Sequence, residues 1–337
     1  MRHAKPFGLT QLLLPIGIGF IVIGWLFGRE FSYGTFTTIH FSWGSVAFIV
    51  LAILFMLGRD AGLIYRFRML SKKRLSWAQS FNIHILNEFT SAVTPSAVGG
   101  SAFVVLFLNK AGISLGRSTA IMITNLFLDE LFFVIICPVV FLLVPLAELF
   151  NVTSVIAATI GVVFWSVYMV LFVWTSVLFV GLFYRPDIIV GFFNLVFKFP
   201  ILKRWHSKIK TFSASLLDAS HEISSQPFLF WLKAYATTTL SWTSRFLVVN
   251  ALFLAFTPIS NHLVVFGRQI MLWVVMVVSP TPGASGLTEI AFREYYSDLM
   301  LGSSSILLII LIWRIISYYL YLILGVFIIP KWIKESF

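Results

Sequence analysis

Apolar runs of about twenty residues recur along almost the whole chain, separated by short polar segments, and each is long enough to cross a hydrocarbon layer ~30 Å thick. Six runs read as full spans, at about 9–28, 41–58, 118–145, 154–183, 227–256 and 304–329. Two further segments keep the apolar character but not the length: 77–112 and 261–300 each hold two short helical pieces flanking a proline-glycine interruption. Residues 205–224 read as an amphipathic helix on the membrane surface. The pattern predicts an all-α polytopic membrane protein with about six full transmembrane helices plus two broken or re-entrant hairpins in an inverted-repeat arrangement. One domain fills residues 1–337, its first half (about 41–145) carrying a hinge at 94–101 and its second half (about 227–329) a hinge at 279–288.

Composition agrees. Of 337 residues, 59% are hydrophobic and 11% charged, which leaves no room for a soluble domain. A net charge of +11 is compatible with nucleic acid, but the basic residues gather in loops beside apolar spans, so no nucleic-acid partner is expected. Arg2 and Lys5 place the N-terminus on the cytoplasmic side, and Lys331 and Lys334 do the same for the C-terminus. The stretch after the second span, with Arg59, Arg66, Arg68, Lys72, Lys73 and Arg74 against Asp60, reads as a cytoplasmic loop, as does the segment from Arg185 to Lys210. The N-terminal run is too long for a signal peptide and lacks a small-x-small cleavage site, so it is expected to stay as a span. Cys137 is the lone cysteine, which excludes an intrachain disulfide and assigns it to core packing. No histidine pairs with Cys or another His at metal spacing, and "GASG" and "VGGS" lack the lysine of a phosphate loop, so no metal or cofactor is expected.

The two hinges resemble each other. Thr94-Pro95-Ser96-Ala97-Val98-Gly99 and Thr281-Pro282-Gly283-Ala284-Ser285-Gly286 share Thr, Pro, Ala and Gly at the same spacing, and the charges make them enter from opposite faces. Interrupted backbone at membrane depth is tolerated only where protein or water covers its peptide groups, so the breaks imply a lined cavity. Similar breaks inserted from both faces place a substrate site near the midplane. Helices restarting at Ala102 and Leu287 would turn their N-terminal amides toward it, a setting that suits an anionic headgroup.

Charges at mid-span mark the same region. Asp129 lies near the centre of its span with Asn125 one turn before it; Arg245 and Arg314 lie near the centres of theirs, and Arg268 precedes the second hinge. A midplane charge costs about 3 kcal/mol to insert, so each should face a partner or water. A buried structural ion pair such as Asp129 with Arg314 competes with cavity lining. Glu289, closest to the second hinge and one turn before Arg293, is the better candidate of its helix, and Glu88 is its counterpart before the first hinge. For Arg293, Glu294 and Asp298 a rim salt bridge is expected, and His84 reads as a satisfied histidine.

These hinge residues resemble a known family, the flippase-like integral membrane domain of lysyl-phosphatidylglycerol synthases, which also occurs alone in many bacterial and archaeal proteins. The similarity covers most of the chain. Pro95, Gly99, Gly100 and Gly112-Ile113-Ser114 match its first signature; Asp129 alone matches a Glu-Arg-x-x-Asp pattern in which Asn125 replaces the Glu; Pro282, Gly286 and Glu289 match the later Pro-x-x-Gly-x-x-Glu; and Arg314 matches the arginine of the final span. Ser101, Val104 and Thr288 stand where the family usually carries Glu, Arg and Arg, which implies a different headgroup preference or weakened transport. The chain ends eight residues after the final span, so only the membrane half is expected, without the aminoacyl-transferring domain.

The expected function is a lipid translocase of the bacterial cytoplasmic (inner) membrane, moving a phospholipid or other lipid with a charged headgroup between leaflets. Arg245, Arg268 and Arg314 would hold phosphate, the amides around Pro95, Gly99, Gly100, Pro282, Gly283 and Gly286 would cup the headgroup, and Asp129 and Glu289 would balance charge or bind a coupling proton. No catalytic residue is assigned. An integral membrane transferase acting on lipid-linked substrates and a small-solute secondary transporter are the alternatives, and a homodimer is compatible with the chain.

Overall fold

The computed structural model describes residues 42–94, 96–150, 155–185, 187–188, 191, 206–257, 259–299 and 303–334. The expected span at 9–28 and the hinge residue Pro95 lie outside them. The regular elements are all helical: α1 (Trp43–Leu70), α2 (Trp77–Val93), α3 (Ser96–Lys110), α4 (Leu115–Leu143), α5 (Leu146–Leu149), α6 (Val155–Phe183), α7 (His206–Ser224), α8 (Phe228–Phe256), α9 (His262–Met276), α10 (Leu287–Tyr295), a 3₁₀ turn (Ser297–Leu299), α11 (Ser303–Arg314), a π-helical turn (Ile315–Tyr319) and α12 (Leu320–Lys334). By length and apolar composition, α1, α4, α6, α8 and the α11–α12 unit can each cross a membrane. The chain is a multi-pass membrane protein.

The first departure from expectation concerns α1. It begins on a reciprocal cap, with Ser42 accepting from the Ser45 amide and Ser45 returning the bond, and continues for 28 residues to Leu70. At 1.5 Å per residue that is about 42 Å of unbroken helix. Arg59, Asp60 and Arg66, assigned from sequence to a cytoplasmic loop, therefore lie within the span helix, and both arginines are buried. A hydropathy pattern ends where charges begin, but a helix can continue if each charge meets a countercharge on a neighbour. Here α8 packs along α1, and Gly62 allows the close approach: a Cβ there would stand 2.2 Å from Ser241 Oγ.

The second departure shortens the first hinge. Helix α3 resumes at Ser96, not Ala102, so Gly99 and Gly100 are helical, while α2 runs to Val93 with Thr94 as its cap. The reason is packing. A Cβ on Gly100 would lie 2.0 Å from Ser91 Oγ and 3.0 Å from Ser91 Cα, so this glycine lets α2 and α3 close into a tight hairpin. The 17 residues of α2 and 15 of α3 rise only about 26 and 23 Å.

The second interruption separates α9 from α10. Asn261 starts α9 by accepting from the Leu263 and Val264 amides, and the chain leaves helix after Met276. Gly283 (φ 56°), Ala284 (φ 54°) and Gly286 (φ 84°) all take left-handed backbone before α10 begins at Leu287. Helix α7 forms where an amphipathic helix was expected; it lies against the start of α4, where a Cβ on Gly116 would meet the Leu216 amide at 2.5 Å. Cys137 is buried in an aromatic-rich core that includes Phe133 stacked on Trp273 at 4.1 Å.

Candidate functional site: two hinges and a polar seam

The hinges, far apart in sequence, touch: the Gly283 amide donates to the Thr94 carbonyl at 3.5 Å. Tyr318 clamps the contact. Its hydroxyl donates to the Ala92 carbonyl at 3.1 Å and accepts from Ser285 Oγ at 3.2 Å, and a Cβ on Gly283 would come within 2.4 Å of its ring. Gly283 is therefore required twice, for its backbone conformation and for the ring that lies against it. The π-helical turn that follows Arg314 widens the last span at this point, where Tyr318 lies under the guanidinium, 4.2 Å from carbon to ring centroid.

Arg314 and Glu289 complete this clasp. Arg314 Nε donates to Glu289 Oε1 at 2.7 Å and its Nη2 to Ser285 Oγ at 3.2 Å. The other carboxylate oxygen of Glu289 accepts from the Gly286 amide, also at 2.7 Å, at the start of its own helix. Glu289 is fully enclosed and Arg314 is 5% exposed. The sequence reading offered Arg293 as a partner of Glu289; Glu289 turns inward to Arg314 instead, and Arg293 pairs with Glu294.

One turn along α12, Tyr321 opens a second cluster. Its hydroxyl donates to Asp60 Oδ2 at 2.6 Å, while Asp60 Oδ1 contacts His84 Nε2 and Arg59 Nη1, both at 3.0 Å. Arg59 Nη2 reaches Glu88 at 2.6 Å, and Glu88 also faces Arg245, more loosely, at 3.9 Å. His84 and Glu88 are four residues apart and share one face of α2. The cluster thus sets two arginines against two carboxylates.

Trp242 joins this cluster to a third. Arg245 lies over its ring at 5.7 Å, and its indole nitrogen donates to Asp129 Oδ1 at 2.8 Å. Asp129 is held bidentately by Arg66 at 2.6 and 2.9 Å, and Arg66 also donates to Thr238. This corrects the pairing of Asp129 with Arg314: each has another partner, because the charges misread as a loop lie inside the bundle. Asn125 is buried one turn before Asp129; its amide nitrogen bonds the Ile121 carbonyl and its Oδ1 has no hydrogen-bond partner. The three clusters form one polar seam through α1, α2, α4, α8, α10 and the last span.

Arg268 lies elsewhere. Asp298 grips its guanidinium at 2.5 and 2.8 Å, the carbonyls of Tyr295 and Glu148 accept from it, and it is 1% exposed, so its donors are committed to pinning α9 against α5 and the end of α10. Gly286 lies in the clasp itself, while Gly100 supports the α2–α3 hairpin. The sequence reading missed Arg59, Asp60, Arg66, Tyr318, Tyr321 and Ser285. One signal was available: Arg59 and Arg66 are two helical turns apart on one face, with Gly62 between them. Among the described residues, no group of three His, Cys, Asp or Glu side chains is placed to hold a metal ion.

Outside the spans, Glu222 of α7 closes a smaller clamp. It meets Lys72 at 2.7 Å and the Arg117 guanidinium, and these cations, Lys72 first, hold its carboxyl below the usual carboxylate range against the opposing effect of burial.

The family model described as "Lysylphosphatidylglycerol synthase TM region" matches residues 12–325. A "UPF0104 membrane protein" of Archaeoglobus fulgidus is 24% identical over 290 residues, covering 82% of this chain and 84% of the relative.

Proposed function

The chain belongs to the lysylphosphatidylglycerol synthase TM-region family, and from that premise we propose that it is a lipid translocase, moving a lipid with a charged headgroup between leaflets. The observation that carries this reading is the meeting of the two interrupted hairpins at Gly283 and Thr94, against a buried seam of paired charges. Backbone and charges of this kind are excluded from lipid and need a polar path. In this reading the hairpins are re-entrant and related as inverted repeats, the seam is the headgroup path, and the acyl chains stay in lipid. The protein is a transporter without a catalytic step, set in the bacterial cytoplasmic membrane with both termini inside.

Roles follow from how fully each charge is already bound. Arg245 has the loosest pairing, a side chain about one-quarter exposed, and a tryptophan ring beneath it, so it is the cation a headgroup phosphate reaches first. Arg314 is the deeper cation. Arg268 is saturated and falls to a structural role. Asp129 and Glu289 keep the path near neutral, which limits how tightly a headgroup is held.

The test is movement of fluorescent phosphatidylglycerol between leaflets of vesicles containing the purified protein, read by quenching from outside. The wild type should make inner-leaflet probe accessible, and Arg245→Gln, folded by gel filtration, should slow this at least tenfold. No movement of any anionic or zwitterionic lipid, together with turnover of a lipid-linked sugar, would replace this reading by the transferase.

A further inference from the structure

The clasp at Arg314 has the construction of an anion-binding seat, and the protein's own carboxylate fills it. Two donors converge on Glu289, the Nε of a buried arginine and the amide of Gly286, the cap residue that opens a nine-residue helix, each at 2.7 Å. Guanidinium and helix N-terminal amides bind phosphate and carboxylate by the same two-pronged geometry. A third donor, Arg314 Nη2, goes to Ser285, whose hydroxyl is turned to Tyr318, so the seat keeps polar neighbours when the carboxylate leaves.

We propose that Glu289 is a tethered stand-in for a phosphodiester: the exchangeable ligand of the Arg314 seat is the anionic phosphate of a glycerophospholipid headgroup, which takes the place of the Glu289 carboxylate when the hinges part. Three features set this apart from an ordinary buried ion pair. The carboxylate belongs to the first turn of α10, directly after Gly286 at φ 84°, so it leaves with a pivot of that helix alone. The seat lies at the junction of the hinges, where the bonds across are the long Gly283–Thr94 contact and the Tyr318–Ala92 bond. Exchange conserves charge, one anion replacing another beside Arg314, so the guanidinium is never left alone in a dry interior. The ligand's being a lipid rests on the translocase reading; the exchange at Arg314 rests on the geometry.

Purified protein in neutral maltoside micelles is titrated with dioctanoyl-phosphatidylglycerol, with dioctanoylglycerol as the uncharged control, and binding is read from the melting temperature. In Glu289→Gln the competitor is gone and the seat is an uncompensated arginine, so half-saturation should fall at least tenfold, and the lipid should raise the melting temperature more than in wild type. Adding Arg314→Gln should abolish that gain, and dioctanoylglycerol should act on none of them. Glu289→Asp keeps the charge, and with it the fold, but is too short to span both donors; it should show a smaller gain in the same direction. Unchanged half-saturation in folded Glu289→Gln or Glu289→Asp, or a gain that survives removal of Arg314, overturns the proposal. A gain without leaflet exchange in vesicles leaves the seat standing and removes the translocase, whereas leaflet exchange without a gain removes only the seat.

Discussion

Replacing Asp129 by asparagine leaves the Arg66 guanidinium, 2% exposed, with Thr238 and a neutral amide where it had a bidentate carboxylate. Stripping one partner from a buried pair costs about 3–5 kcal/mol, because the remaining charge is uncompensated. The asparagine oxygen can still accept from Trp242, so the lower end, about 3 kcal/mol, is expected. The opposite change, Arg66→Gln, strands Asp129, whose side chain is 26% exposed and keeps the Trp242 bond, so about 1–2 kcal/mol is expected. The asymmetry is the informative part. Arg66→Gln with Asp129→Asn removes both charges and should cost less than the sum of the singles by at least about 1.5 kcal/mol. Unfolding of the four proteins in identical micelles, followed by denaturant titration, measures the cycle. Additive costs, or a single Asp129→Asn cost within about 0.5 kcal/mol of wild type, would falsify the placement of these charges against each other inside the bundle.

Gly283→Ala forces a side chain onto left-handed backbone and into the Tyr318 ring, and should cost about 1–3 kcal/mol, read as a lower melting temperature, with part regained when Tyr318→Leu removes the ring. Arg268→Gln should cost about 2 kcal/mol by removing the guanidinium that Asp298 and the carbonyls of Tyr295 and Glu148 share, yet leave the half-saturating concentration of dioctanoyl-phosphatidylglycerol unchanged; a shift there would return Arg268 to the lipid path. The Glu222 clamp links stability to pH. Its carboxyl is lowered in the folded state, so the unfolded chain binds more protons between the two values; the contribution is full above the ordinary carboxylate value of about 4.3 and is lost as pH falls through the folded one. Melting temperatures from pH 7 down to pH 3 should therefore drop less steeply in Glu222→Gln than in wild type.

Where hydrophobic length decides, the sequence predicted the fold closely. The runs expected at 118–145, 154–183 and 227–256 are helices at Leu115–Leu143, Val155–Phe183 and Phe228–Phe256, and the amphipathic helix expected from 205 to 224 spans His206–Ser224. Glycine and proline mark the non-helical stretch between α9 and α10, because left-handed backbone favours glycine and proline breaks helix, although Ala284 also takes that backbone. The first hinge was overextended, since Gly99 and Gly100 look like a break until Ser91 is seen lying against the helix. Arg59 and Arg66 were hidden for the same reason that they matter: a charge is read as a loop unless its partner is known, and their partners Glu88 and Asp129 come from other helices. Asp129, Arg245, Glu289 and Arg314 could be picked out singly as charges in apolar surroundings, but who pairs with whom depends on helix packing. The π-helical turn after Arg314 left no mark in the residue pattern, yet it is where Tyr318 meets both hinges.

If the junction of the hinges is the lipid's way through, closing it must stop transport. The measurement that tests this most directly places cysteines at Thr94 and Pro282, on either side of the junction, with Cys137 replaced by alanine, and bridges them with a short bifunctional thiol reagent in vesicles loaded with fluorescent phosphatidylglycerol. The bridge should form in the membrane, stop leaflet exchange, and release it on reduction. Lipid movement that continues at full rate with the hinges bridged would contradict it.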